Sequence, residues 1–418
     1  MKSISEYSWY RLDNAAKIFP AVSGKNSSSV YRISVRLDQN VNQKALEEAV
    51  NSALISFPAY RVQMRRGLFW YYLEHNFERA LVSEENSYSC GYIKAEKNNG
   101  YLFKCSYYKN KISLDVFHVL ADGISAINFL KEITACYFKL ISGDSAGLGS
   151  AAAELAYTVM EDSFSKFCTR GPSSKPKKTR AFHVKGTPGG KDYIAVTHGI
   201  ISASELKKLA KSMDVTVTAY LAALFIYSIY EVTRSYKGCR PIKLCIPINL
   251  RKFHETLTQR NFFTIITVDV DFDKNGYIFE DILKIVSSQL KERVKPEYFM
   301  GSVNYYMEAE RNIWARMIPL VFKNIALRLI CRQTGEETYT GTLSNIGKID
   351  AVPFLQNHIK RFDTLAGASR KNALNCCVCT FEDTMVISFT KSIIETDIEC
   401  YFFRFISNKG LKITIEQS

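Results

Sequence analysis

One stretch in the first third of the chain constrains the fold most: an alternating strand that ends in a histidine and passes directly into a helix. Apolar and polar residues alternate from Lys111 to Val116, which predicts a β-strand with one buried face. Apolar side chains then recur at helical spacing from Ile124 to Tyr137, so a helix follows at once. His118 therefore lies in a short strand-to-helix connection. His118 is separated from Ile112, Leu114 and Val116 by even numbers of residues, so its ring is predicted to lie on the same, buried side of the strand.

The chemistry of this connection depends on His118. An unperturbed imidazole titrates near pH ~6.5, which makes histidine the side chain best matched to removing a proton in neutral water. Asp122 is a candidate for fixing the turn, and Gly123 would let the backbone turn tightly without a Cβ clash. The alternative is a half-buried histidine hydrogen-bonded to a carbonyl, followed by an ordinary Asp-Gly turn. The motif alone leaves both interpretations open.

Length and apolar content predict two lobes. A chain of 418 residues that is 47% hydrophobic exceeds one ordinary domain, so two units of about 200 residues are expected.

The segment from Met1 to Tyr10 is polar and mixed, without the apolar region of a signal peptide. The longest apolar run, 219–230, is too short to span a bilayer. We therefore expect a cytoplasmic protein with no transmembrane segment.

The eleven cysteines are scattered through strand and helix patterns, which fits reduced thiols in a cytosolic protein. Cys376, Cys377 and Cys379 lie in a strand-like run over 374–381, where adjacent residues face opposite sides. A metal site needs a second ligand cluster, which the sequence lacks, so no metal is expected.

The net charge of +14 favours anionic partners: phosphate-bearing cofactors, nucleic acid or an acidic membrane surface. Much of the excess lies in one stretch that lacks acids and is broken by prolines. It is interpreted as a solvated linker, with phosphate capture as the alternative. It also lacks interleaved aromatic residues, so nucleic-acid binding is not expected. Its basic residues are Lys166, Arg170, Lys175, Lys177, Lys178, Arg180, Lys185 and Lys191.

This basic stretch divides the chain into a first lobe over 1–168, a linker over 169–191 and a second lobe over 192–418. In the first lobe we expect a strand near Ile33, a helix over 42–56, a hairpin across Arg66-Gly67, and paired strands over 101–107 and 111–118. In the second we expect helices ending near 213 and 232, a helix over 278–294, a mostly helical stretch over 303–330 and a last helix from about 395. The expected strands are 242–251, which ends in a polar turn, 261–272, 359–365, 374–381 and 385–390. The fold class is α+β.

The His118-x-x-x-Asp122-Gly123 pattern at the end of the first of two lobes resembles the HxxxDG motif of the thioester (CoA)-dependent acyltransferase superfamily. That superfamily includes chloramphenicol acetyltransferase, the alcohol O-acetyltransferases, polyketide-associated acyltransferases and the condensation domains of peptide synthetases. The resemblance is greatest to the alcohol acetyltransferase-like and free-standing condensation-like members. Phe117 stands where some relatives carry a second histidine, and the DFGWG stretch of the plant enzymes is absent. Three further segments are similar to the superfamily: 215–224, 247–251 followed by Asn261-Phe262, and the turn 344–347.

The resemblance implies a fold of two chloramphenicol acetyltransferase-like lobes, with mixed sheets flanked by helices and an active-site tunnel between the lobes. It implies that His118 is the general base. Asp122 and Gly123 would be structural, with the Asp122 carboxylate turned away from the tunnel and paired with Arg251. Ser344 and Asn345 would lie near the tunnel as candidate donors to the oxyanion.

The function implied is transfer of an acyl group from a thioester to an alcohol or amine acceptor, in a monomer whose lobes form a pseudo-dimer. Acyl-CoA or acyl-phosphopantetheine would be a co-substrate, with no bound cofactor. Because the chain contains no adenylation or carrier domain, acyl-CoA is the expected donor. Two alternatives stay open: a condensation-like enzyme that depends on a carrier protein, and a non-catalytic member that binds an acyl ligand or a protein partner. The sequence leaves the acceptor and the acyl chain length open.

Overall fold

The computed structural model describes residues 9–24, 28–86, 88–143, 159–167, 172–174, 179–190, 193–233, 240–272, 276–331, 337–369 and 372–417. Residues 169–171, 175–178 and 191 of the predicted linker, and the segment before Trp9, lie outside these residues. The described part forms two α+β lobes built on mixed sheets flanked by helices, which confirms the predicted fold class.

The strands are β1 (Trp9–Arg11), β2 (Val30–Leu37), β3 (Val62–Arg66), β4 (Tyr71–His75), β5 (Val82–Glu84), β6 (Phe103–Tyr108), β7 (Lys111–Phe117), β8 (Ala195–Ser202), β9 (Ile242–Asn249), β10 (Phe263–Val270), β11 (Gly341–Lys348), β12 (Ile359–Ala366), β13 (Leu374–Phe381), β14 (Thr384–Lys391) and β15 (Thr414–Gln417). The α-helices are α1 (Phe19–Val22), α2 (Gln43–Ser56), α3 (Gly123–Ser142), α4 (Ser163–Phe167), α5 (Ala203–Ser212), α6 (Val217–Val232), α7 (Phe279–Arg293), α8 (Pro296–Arg311), α9 (Ile313–Met317), α10 (Leu320–Cys331), α11 (Pro353–Gln356) and α12 (Asp397–Asn408).

The first lobe is a five-stranded sheet, in the order β12-β2-β7-β6-β5, against which α2 and α3 pack. The predicted pairing of β6 with β7 is confirmed, as is the hairpin of β3 and β4. That hairpin belongs to a separate small sheet with β1. The Asn42 side chain accepts a hydrogen bond from the Ala45 amide and so caps α2, which explains where this helix begins.

The second lobe is a seven-stranded sheet, in the order β10-β9-β11-β13-β14-β8-β15. Its central helix α6 is buried along most of its length, as its continuous apolar sequence predicts. The run of three cysteines lies on β13, all of them buried. Among the described residues no single helix is long and apolar enough to cross a membrane, and the one pair that reaches this length together, α5 with α6, meets at 83°.

One strand crosses between the lobes. Residues of β12 come late in the chain but pair with β2, with Phe362 opposite Val35, at the edge of the first-lobe sheet. The next strand, β13, returns to the second-lobe sheet. The strand itself was predicted, but its partner was not, because pairing is decided by contacts far apart in sequence.

Both faces of β7 are buried, which corrects the predicted one-sided strand. The polar face carries Asp115, whose carboxylate accepts from the Arg32 guanidinium at 2.6 and 2.8 Å. Beside it, the hydroxyls of Ser34 and Ser113 lie 3.0 Å apart. The polar residues of this alternating sequence therefore form a buried face whose side chains are hydrogen-bonded. An alternating pattern looks the same whether the polar face is buried in this way or exposed to solvent.

Two further differences lie near the C-terminus. The helical stretch over 303–330 breaks at Asn312 as well as at Pro319, because the Asn312 side chain caps α9 by accepting from the Trp314 amide at 3.0 Å. The chain also ends in β15, after the predicted last helix. This strand pairs antiparallel with β8, and Ile415 lies opposite Gly199.

Candidate active site

The histidine motif forms a tight connection between two buried elements. Strand β7 ends at Phe117, and the His118 amide donates to the carbonyl of Ser29 at 3.0 Å. Helix α3 begins at Gly123, because the Asp122 carboxylate accepts from the Ser125 amide at 3.1 Å as an N-cap. The connection therefore holds His118 by backbone hydrogen bonds on one side and a capped helix on the other.

Gly123 has a different local role from the one predicted. It is the first residue of α3 and does not have a positive φ, so no tight turn requires it. A Cβ atom there would lie 3.1 Å from Cδ1 of Ile346. Gly123 instead permits close approach of the second lobe's β11 to the start of the motif helix.

The imidazole of His118 lies in an aromatic setting. It stacks on Phe19 with ring centroids 4.7 Å apart, and Tyr31 and Phe263 lie at 4.8 and 5.4 Å. Burial lowers the pKa of His118, while the Asp122 charge and a hydrogen bond to Asn261 act in the opposite direction. The neutral imidazole, which is the form that accepts a proton, is therefore favoured.

The tautomer of His118 follows from its partner. The Asn261 Nδ2 donates to the His118 carbonyl at 3.0 Å and to Asp13 Oδ2 at 3.2 Å, and an amide nitrogen can only donate. Asn261 Oδ1 therefore faces His118 Nδ1 at 3.3 Å, and Nδ1 carries the proton. The lone pair of the neutral ring is on Nε2.

Asp13 supports this arrangement from the N-terminal segment. It is fully buried, accepts from the Ala16 amide at 2.8 Å, and lies 3.6 Å from the Arg260 guanidinium. Burial raises the pKa of Asp13 to about 6, against the opposing charge of Arg260. The sequence offered no local signal for Asp13, and it identified Asn261 only as part of the motif that follows Arg251.

Asp122 and Arg251 form an ion pair. Arg251 Nη1 donates to Asp122 Oδ2 at 2.6 Å, and the same oxygen accepts from the Phe262 amide at 2.8 Å. Arg251 Nη2 donates to the carbonyls of Thr258 and Arg260 at 3.1 and 2.6 Å. Each group has several partners, so this buried pair is well satisfied and joins the motif helix to the second lobe.

The segment 258–262 fastens the lobes together. Ser125 Oγ donates to the Gln259 carbonyl, and Gln259 Nε2 donates to the Ser56 carbonyl at 2.9 Å. Arg260 Nη2 donates to the Arg11 carbonyl at 2.6 Å. This second-lobe loop therefore bonds to three separate parts of the first lobe.

Ser344 and Asn345 lie on β11 rather than in a turn, which corrects the predicted local structure. The strand has a β-bulge between Asn345 and Gly347, where Gly347 takes a φ of +84°. Asn345 Nδ2 donates to Thr218 Oγ1 at 3.0 Å, and its Oδ1 accepts from the Gly347 amide at 2.9 Å. Asn345 therefore ties β11 to helix α6. Ser344 lines the same cavity as His118, and its hydroxyl bonds to no residue in the described part of the chain.

One cavity of about 1230 Å³ has a wall that includes strands of both lobes. It is lined by His118, Asp122, Gly123, Ser344 and Asn345. The sequence-predicted residues are thus brought together, with Arg251 behind Asp122. Among the described lining residues Asp122 is the only acid. The cationic lining residues are Arg32, Lys252, Lys291, Lys295 and Arg328.

No group of three or more histidine, cysteine, aspartate or glutamate side chains within the described ranges could hold a metal ion. Burial raises the pKa of Cys377, the cysteine of β13 that lines the cavity, to about 12. A thiol held protonated in this way is a poor nucleophile and a poor metal ligand.

The amino-acid sequence matches no protein-family profile and no curated protein. The fold, in contrast, matches solved structures over nearly the whole chain. The F. sporotrichioides TRI101 structure with coenzyme A and T-2 superposes with a TM-score of 0.66 at 10% identity, over 97% of this chain and 99% of that one. The trichothecene 15-O-acetyltransferase TRI3 of Fusarium sporotrichioides gives 0.61 at 10% identity, over 97% and 95%.

A third match is the first condensation domain of the calcium-dependent antibiotic synthetase, crystallised with a substrate analogue. It gives a TM-score of 0.58 at 11% identity, over 96% of this chain and 95% of that one. At these identities the comparisons establish the architecture. The chain therefore has the same two-lobed α+β fold as these acetyltransferase and condensation-domain structures, as the resemblance of its sequence implied.

Proposed function

We propose that the protein transfers an acyl group from a CoA thioester to an alcohol or amine, with His118 as general base. The observation that carries the proposal is the state of the His118 ring. Its Nδ1 donates to Asn261, so Nε2 has the free lone pair, and the ring lines a cavity built by both lobes. A buried neutral imidazole with one nitrogen committed to a positioning hydrogen bond is suited to accept a proton.

The proposed reaction is a direct transfer. Nε2 of His118 takes the proton from the acceptor hydroxyl or amine as its oxygen or nitrogen attacks the thioester carbonyl. The tetrahedral intermediate collapses by breaking the carbon–sulfur bond, and the proton passes from His118 to the departing thiolate. No acyl-enzyme forms, and the imidazole returns to its neutral state.

Ser344 is the proposed donor to the oxyanion. Its hydroxyl lines the cavity without a described partner, whereas both polar atoms of the Asn345 amide already have partners. A donor placed before the reaction stabilises charge that develops on the carbonyl oxygen. Asn345 is proposed to act indirectly, by holding β11 against helix α6.

The charge of the cavity supports a phosphorylated donor. Lys252, Lys291, Lys295 and Arg328 line the wall formed by the second half of the chain, and Asp122, the acid among the described lining residues, is neutralised by Arg251. Phosphates favour such a surface. Acyl-CoA or acyl-phosphopantetheine would enter as co-substrate. The division into residues 1–168, 169–191 and 192–418, with the lobes acting as a pseudo-dimer in a monomer, is part of the same proposal.

The test is release of free thiol from acyl-CoA in the presence of a panel of alcohols and amines. H118A is expected to reduce kcat/KM by about 10²–10⁴-fold, the usual contribution of a general base. H358A serves as the matched control, because His358 does not line the cavity and its half-exposed side chain bonds to Asp38 at 3.0 Å. Turnover unchanged in H118A contradicts the assignment of the base.

A carrier-dependent, condensation-like reaction is the second candidate, favoured by the match to a condensation domain. The same panel offered with acyl-carrier protein separates the two. Turnover with the carrier but not with acyl-CoA selects the condensation-like reaction. Tight acyl-ligand binding without turnover on either donor selects a binding protein of this fold.

A further inference from the structure

Helices α9 and α10 form a surface with inverted amphipathic character. In a surface helix the apolar face normally packs on the core and the polar face meets solvent. In α10 the inward face includes Lys323, 7% exposed, whereas Phe322 beside it is 66% exposed. Trp314 on α9 is 76% exposed. The apolar patch consists of Leu68, Trp314, Met317, Phe322, Ile325 and Leu329.

Specific contacts hold the polar face inward. Lys323 Nζ donates to the Phe69 carbonyl at 3.1 Å and lies 3.3 Å above the Trp70 ring. Arg328 Nε donates to the Ala21 carbonyl at 2.5 Å. These contacts help to hold α10 with Lys323 turned inward, and the apolar side chains of Phe322, Ile325 and Leu329 are left exposed.

The patch extends from one lobe to the other. The Leu320 amide donates to the carbonyl of Leu68 at 2.9 Å, which places the tip of the β3–β4 hairpin beside α10. Lys323 Nζ also donates to the Arg316 carbonyl at 3.4 Å, which links α9 to the same helix. Exposed apolar residues therefore lie on three neighbouring elements, and clusters of this kind mark interaction sites.

The charges around the patch point to its occupant. The cations exposed beside the patch include Arg316 on α9 and Arg66 at the hairpin tip, and residues 313–331 contain no acid. A second copy of the chain would bring like charges together across such a patch. An anionic bilayer complements them, while its interface accepts exposed Trp, Phe and Leu side chains.

We propose that this patch docks the protein on the surface of an anionic lipid bilayer, without spanning it. Arg328 and Cys331 of α10 also line the cavity that contains His118. Docking would therefore place one edge of the cavity at the lipid interface, where an apolar substrate dissolved in the membrane could enter. The docking itself does not depend on the proposed reaction.

Flotation with lipid vesicles tests the proposal without any measurement of turnover. The protein is mixed with vesicles of phosphatidylcholine alone or of phosphatidylcholine with phosphatidylglycerol, at low and high salt. Binding to the anionic vesicles, weakened by salt, is expected. F322D and W314D are expected to lower the partition coefficient about tenfold or more, because each removes a large apolar side chain from the interface and adds a repelled charge.

The matched control is I278D, since Ile278 is 60% exposed and lies at the N-cap of α7, where aspartate is well tolerated. It is expected to bind like the wild type, and circular dichroism establishes that all three variants fold. Absence of binding to anionic vesicles overturns the proposal, as does equal loss in I278D. Concentration-dependent dimerisation that F322D abolishes, without vesicle binding, also overturns it and assigns the patch to a second copy.

Discussion

At the scale of single residues, Asn261 determines which nitrogen of His118 is available. Its amide can satisfy His118 Nδ1, the His118 carbonyl and Asp13 in only one orientation. His118 was recognisable from its motif. Asn261 and Asp13 lie 143 and 248 residues from their partners in this network, and no local pattern links residues at such separations.

The substitution N261L tests Asn261 as a positioning residue. It removes the acceptor for Nδ1, so the imidazole can rotate or change tautomer. We expect kcat/KM to fall about ten- to hundredfold with little change in KM for the donor. N261D, which keeps an acceptor, should retain more activity than N261L and shift the acid limb of the pH profile upward. Equal kinetics for the two variants would indicate a merely structural role.

The pH dependence of the proposed reaction should reflect the burial of His118. Burial lowers its pKa below the ordinary value of 6.5. As the pH falls through 6.5, the base therefore stays neutral, and kcat/KM should decline only at lower pH. A pH profile of kcat/KM, taken over a range where the protein stays folded, measures this limb. A midpoint above 6.5 would mean that another group limits the reaction.

At the scale of elements, the Asp122 carboxylate connects helix α3 to the segment 258–262. The start of α3 could be predicted from a local signal, namely apolar residues at helical spacing directly after Asp122-Gly123, whereas the N-cap role of Asp122 is known from the structure. The pairing with Arg251 followed from the resemblance and not from the pattern. The bulge in β11 was predicted as a turn, because Ser344, Asn345 and Gly347 are residue types common in turns. That this segment is a strand is evident only from its pairing with β13.

Breaking the buried ion pair should destabilise the protein measurably. D122N keeps the N-cap acceptor for Ser125 but leaves the Arg251 charge without its partner. We expect a loss of about 2–4 kcal/mol in the free energy of unfolding, together with reduced turnover. Urea denaturation measures the first. The control is E48Q, whose Glu48–Arg79 pair is 59% exposed on both sides and should change stability by less than about 1 kcal/mol. Similar losses in both variants would contradict the role given to burial.

At the scale of the whole molecule, the lobes also meet through charged groups. Glu416 of β15 accepts from Arg361 of β12 at 2.6 and 2.9 Å, and from Arg36 at 3.2 Å. The two-lobed α+β class followed from chain length and alternating elements. The contacts between lobes did not, since exposed and buried charges look alike in a sequence.

This contact should make stability depend on pH. The hydrogen bond from Arg361 lowers the pKa of Glu416 below 4.5 in the folded protein. Its contribution is therefore present above pH 4.5 and is lost as the pH falls through the lowered value. E416Q should be less stable than the wild type at neutral pH, by a small amount since Glu416 is half exposed, and the difference should vanish in acid. Thermal unfolding of both proteins across this range measures it, and a difference that persists unchanged in acid would contradict the assignment.

The crossing of β12 has a consequence for how the chain reaches its native state during synthesis. The first 143 residues contain four of the five strands of the first-lobe sheet, but β2 has an open edge until residues 359–366 leave the ribosome. An unpaired edge strand is a template for association with other chains. The N-terminal lobe is therefore exposed to misassembly throughout translation of the second, and the two lobes complete their folding together.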